Sequence, residues 1–113
     1  VQIACDTAKG AVARLAGAEI PKHEDTEQTI PELKARIAKT LDFIGSVPAA
    51  KIEGSDEREV VLKMRGQDVK LNGLVYLLAH ATPNFYFHVT TAYNILRANG
   101  VEIGKRDYLG ENK

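Results

Sequence analysis

The stretch Leu71–Gly100, LNGLVYLLAHATPNFYFHVTTAYNILRANG, constrains the chain most. Apolar residues recur at Leu74, Leu78, Ala81, Phe85, Ala92 and Ile95, the alternating three-and-four spacing of a helix packed in a bundle. The pattern predicts one long helix, opened by Asn72 as N-cap and closed by Gly100. His88 falls on the same seam, where another apolar residue is expected. His80, Asn84 and His88 step at i, i+4 and i+8, so neighbours in that row lie one turn apart. Pro83 removes a backbone donor and crowds the carbonyl of Ala79, which predicts a kink and not a stop.

Two further helices precede it. Val1–Gly17 carries a stripe of Val1, Cys5, Ala8, Val12 and Leu15, with Gly10 inside at a cost of about 1 kcal/mol relative to Ala and Gly17 as terminator. Thr29–Gly45 opens on a capping box, Thr29 with Glu32, and has Pro31 in its first turn. Ile30, Leu33, Ile37, Leu41 and Ile44 form its expected buried stripe. Lys34, Arg36, Lys39 and Asp42 are expected to face out. Between the two helices, Ala18–Gln28 reads as a polar loop whose carboxylates, Glu24, Asp25 and Glu27, are expected to be solvated.

After a linker, Pro48–Glu57, the period changes from helical to alternating. Val60, Leu62 and Met64 alternate with Val61, Lys63 and Arg65. Val69 and Leu71 flank Lys70. With the turn Arg65-Gly66-Gln67-Asp68 between them, these residues predict a β-hairpin. An isolated hairpin is marginal in water, so it should lie against the helices. Val101–Lys113 has no period. Its Val101, Ile103, Tyr108 and Leu109 are expected to tack the tail onto the bundle.

With 113 residues the chain is one domain, 1–113. It begins at Val1, inside a helical pattern, so the domain is expected to be N-terminally incomplete, with one partner helix outside the sequence. Lys plus Arg total 15 and Asp plus Glu total 15, a balance that argues against a nucleic-acid partner, whose binding needs clustered positive charge. No apolar run approaches the roughly 20 residues that span a bilayer. A lone cysteine and the lack of a signal-peptide pattern point to a cytoplasmic location.

The block Pro83–Gly110, PNFYFHVTTAYNILRANGVEIGKRDYLG, resembles an uncharacterised bacterial family, a domain of unknown function, in the DinB/YfiT-like superfamily. QIACDTAKGAVARLAG (Gln2–Gly17), EDTE (Glu24–Glu27) and ELKARIAKTLDFI (Glu32–Ile44) fit the same family. The resemblance implies an all-α, DinB-like four-helix bundle, often dimeric, of which this chain supplies three main helices and the hairpin before the last. It also implies, for many superfamily members, a divalent metal such as zinc or nickel on three histidines. Two of those come from an H-x-x-x-H pair on the last core helix. Here that pair falls on Asn84 and His88, and the third ligand falls near Ala4, Cys5 or Asp6.

Two of three expected ligands are therefore not histidine. The residue set Cys5, Asp6, His80, Asn84 and His88 is the candidate pocket, and His88, Asn84 and Asp6 the candidate metal set. Asn is a weak ligand for transition metals, whereas imidazole, thiolate and carboxylate suit them. Alternatively His88 is a core histidine hydrogen-bonded to Asn84, Asp6 or a tyrosine, as a buried polar group requires. Cys5 is either a nucleophile or a small buried filler. The aromatics Tyr76, Phe85, Tyr86, Phe87 and Tyr93 read as core or interface. The expected function is that of a dimeric bundle without a bound metal. The alternative is a metal-dependent DinB-like enzyme acting on a small thiol or electrophile.

Overall fold

The computed structural model describes residues 1–111. Helix α1 spans Gln2–Ala16 and α2 spans Ile30–Ser46. Strands β1 (Glu59–Met64) and β2 (Gln67–Asn72) form an antiparallel hairpin. Three helical segments follow without a break: α3 (Gly73–Val75), a π-helical turn (Tyr76–Ala81) and α4 (Thr82–Ala98). A short α5, Lys105–Leu109, lies in the tail where no period was expected.

The caps follow the local chemistry. Gly17 takes φ 67°, and the N–H groups of Gly17 and Ala18 donate back to Arg14 and Ala13, a Schellman ending for α1. The Thr29 hydroxyl accepts from the Glu32 N–H at 3.3 Å and donates to the Glu32 carboxylate at 2.8 Å. The Asn72 side chain accepts from the Val75 N–H at 2.9 Å, so it caps the last helix as its sequence predicts. Gly100 closes that helix at φ 91°.

The hairpin pairs Val60 with Leu71 and Leu62 with Val69. Its turn is shorter than expected: Arg65 and Gly66 both take positive φ, the signature of a two-residue type I′ turn, and Gln67 and Asp68 already belong to β2. Because side chains alternate across a strand, Val60 and Leu62 point together onto the helices. They form the buried core with Leu15, Tyr76 and Ala81, and Ala11, Ile52, Leu71 and Leu77 pack around it. The Tyr76 hydroxyl accepts from Arg14 at 3.0 Å. Gly73 is required where the hairpin meets the helix: a Cβ there would lie 1.9 Å from the Ser55 carbonyl oxygen.

The structure corrects four expectations. The long helix starts at Gly73, because Leu71 and Asn72 complete β2. The irregularity set by Pro83 is the wide turn just before it, which eases the crowding that a proline ring imposes on the carbonyl four residues back. That turn breaks the helical phase, so Leu74, Leu78 and Ile95 do not continue a buried seam and are exposed, Leu78 by 63%. On α2, Ile30, Ile37 and Leu41 are exposed as well, Leu41 by 61%, while Arg36 is only 4% exposed. The apolar stripe of α2 is thus covered only in part: Leu33 and Ile44 are half-buried, and Ile30, Ile37 and Leu41 are not covered by the described residues.

Candidate functional site

A cavity of about 530 Å³ opens between α1, α2 and α4. The N-terminal half of α1 supplies Val1, Ala4, Cys5 and Ala8, whose small side chains keep one wall low. Ile37, Leu41 and Ile44 of α2 form the second wall, and Phe85, His88, Val89 and Ala92 of α4 the third. Ile103 and Tyr108 of the tail close one end. Tyr108 is held there by a 3.1 Å hydrogen bond with Thr90 and by an edge contact with the Tyr93 ring. The tail is therefore tacked to the bundle through Ile103 and Tyr108, whereas Val101 and Leu109, expected to share in this, are exposed.

Most polar side chains at this cavity already have partners. The Thr40 hydroxyl donates to the Arg36 carbonyl at 2.9 Å, and the Tyr93 hydroxyl accepts from Arg97 at 3.0 Å. His88 lines the cavity with its ring edge-on to Phe87, 5.1 Å between centroids. No described residue hydrogen-bonds it, so the partnership expected with Asn84, Asp6 or a tyrosine is not formed.

The five candidate residues divide into four places. Cys5 and His88 share the cavity. Asn84 donates to the Thr7 hydroxyl of α1 at 3.2 Å. His80 stacks on Tyr76 at 6.0 Å. Asp6 turns the other way, toward α2, where it binds Arg36 at 2.8 Å and Lys9 at 3.3 Å. Among the described residues, no three His, Cys, Asp or Glu side chains are placed to hold a metal ion.

A model of a domain of unknown function, DUF1993, matches residues 1–109. The chain belongs to the DUF1993 family. The DUF1993 chain is also similar to the crystal structure of a DinB family member protein from Shewanella denitrificans, at 48% identity and a TM-score of 0.87. That likeness covers 96% of this chain and 61% of the Shewanella chain, so the sequence spans about three-fifths of that relative's length. Among curated proteins none matches it. It is a DinB-like family member of unknown function.

The DUF1993 chain has a second polar centre that periodicity did not reveal. Arg36 is the hub. Its guanidinium donates to Asp6 on α1, and to Glu27 and the Glu24 carbonyl on the loop, with Asp25 at 3.1 Å. Burial opposes its charge, but the hydrogen bonds to Glu27, Asp6 and Asp25 prevail and hold its proton more tightly than usual. Burial likewise pushes the Glu27 carboxyl up, and the bonds from Arg36 and from the Thr26 N–H outweigh it, leaving Glu27 below the usual range. The loop carboxylates, expected to be solvated, are thus in part structural; the Glu27 side chain is only 9% exposed. The signal available in sequence was an arginine on a helix beside an acidic loop, which does not specify contact.

Proposed function

We propose that this chain is a helical-bundle scaffold that works by association: a DinB-like bundle lacking a complete metal triad, whose groove seats a further helix, and which is dimeric in use. The observation that carries the reading is the surface left uncovered. The accessible area is 8017 Å², against about 6,100 Å² for a compact monomer of this mass. The radius of gyration is 15.4 Å, against about 13 Å for a compact chain of this length. The apolar stripe of α2 and the cavity beside it account for where such surplus lies, and a contiguous apolar face of this kind marks an interaction site. Helix-in-groove packing uses side chains at the spacing of Ile37, Leu41 and Ile44.

The non-metal part of the reading rests on the engagement of the candidate ligands. Asp6 is neutralised by two cations and Asn84 is bonded to Thr7. One observation favours the alternative, a metal-dependent enzyme acting on a small thiol or electrophile: Cys5 and His88, both good zinc ligands once deprotonated, line one cavity.

Elemental analysis and sedimentation of the purified protein test the proposal together. The expected result is no stoichiometric zinc or nickel and a dimeric mass at micromolar concentration. Stoichiometric metal that disappears in His88→Ala would overturn the non-metal reading. A monomeric mass at that concentration rejects dimerisation.

A further inference from the structure

The loop between α1 and α2 has no regular secondary structure, yet it is fastened across both helices. Arg36 of α2 holds it through Glu24, Asp25 and Glu27, and the same guanidinium holds α1 through Asp6. One side chain therefore ties three segments. His23 lies in this loop with its Nδ1 atom buried and without a hydrogen-bond partner. The groups acting on it are Lys9 and Asp6 from α1, and Arg36 and Lys39 from α2. From its own loop come Lys22, Glu24, Asp25 and Glu27, of which Lys22 pairs with Glu24 and the other two carboxylates with Arg36. Three cations thus act on the ring from the helices, against one carboxylate that is already shared by Lys9 and Arg36.

We propose that His23 makes this loop an acid-released strap: a proton on its ring adds a fourth cation beside Lys9, Arg36 and Lys39, and the strap lets go of α1 and α2. The neutral ring fits its place because protonating this nitrogen would leave a charged N–H buried and without an acceptor, which costs more than leaving a neutral nitrogen unpaired. Burial first, then Lys9, Lys39 and Arg36, push the imidazole below its ordinary value, with Asp6 opposing. The sign follows from linkage. The released strap binds the proton more tightly than the fastened one. The strap is therefore fully held above the ordinary histidine value of 6.5, and is lost as pH falls through the lower value of the fastened ring. Glu27 is still ionised where that loss sets in, since its own value is lowered from 4.5.

Amide exchange of the full chain, corrected for intrinsic rate and followed from pH 7.5 to 5, tests the strap at the Thr26 amide, which donates to the Glu24 carbonyl and the Glu27 carboxylate. The expected result is protection that falls by up to about tenfold per pH unit below about 6.5, and that becomes flat in His23→Gln. A second measurement does not need the variant: the ring resonances of His23 should titrate below 6.5. A flat wild-type profile, an unchanged slope in His23→Gln, or a His23 ring that titrates at or above its ordinary value each overturns the proposal.

Discussion

Arg36→Ala should lower stability by about 3 kcal/mol, the lower end for breaking a buried ion pair, because Asp6 and Asp25 keep contact with water when the cation is gone. Chemical denaturation would measure it, and a loss under about 1 kcal/mol would show that the hub is ornamental. Arg36→Lys should recover little of the loss. One ammonium cannot replace a planar fork that serves Asp6, Asp25, Glu27 and the Glu24 carbonyl. The carboxylate side has its own pH signature. Because the folded Glu27 value is lowered, its contribution is present above 4.5 and is lost as pH falls through the folded value, whereas the His23 loss sets in below 6.5. The onsets of the two losses should be distinguishable in a stability profile, the first below 6.5 and the second below 4.5. Of the candidate site, the seam position of His88 was readable from spacing, and its place across from Cys5 was implied by the family resemblance. The diversion of Asp6 was not, since its partner lies 30 residues away and charge pairing carries no period.

Helix starts and stops were legible because each rests on a side chain next to the end it serves. Thr29, Asn72, Gly17 and Gly100 all do what their residue types predict. The hairpin was legible because alternation over Val60–Met64 can satisfy only one face. The π turn was not, because an amphipathic pattern is read on the assumption of constant pitch. The glycines give a test at this scale. Gly73→Ala places a methyl against the Ser55 carbonyl, which is backbone and cannot swing aside, so it should cost about 3 kcal/mol or prevent folding. Gly45→Ala, near the end of α2, meets nothing within 4 Å and should stabilise by about 0.5 kcal/mol. Thermal melts of the two variants would check the contrast. Equal effects would show that the Gly73–Ser55 approach is not tight in solution.

At the scale of the whole molecule, the buried core and the open groove occupy different ends of α1. Leu15 joins Val60, Leu62, Tyr76 and Ala81, whereas Val1, Ala4 and Cys5 border the cavity. The apolar stripe on α2 was legible as a stripe. Its exposure was not, because periodicity says which side of a helix wants cover and not whether this chain supplies it. The arrangement makes rigidity uneven along the long axis. The hairpin pole, with ladder bonds and interdigitated side chains, should open only with global unfolding. The pole around Val1 and Leu41 has few layers above it and should breathe far more readily. A molecule built this way is ready to be tightened from one side, and whatever settles there would firm the loose half without touching the half that already holds its shape.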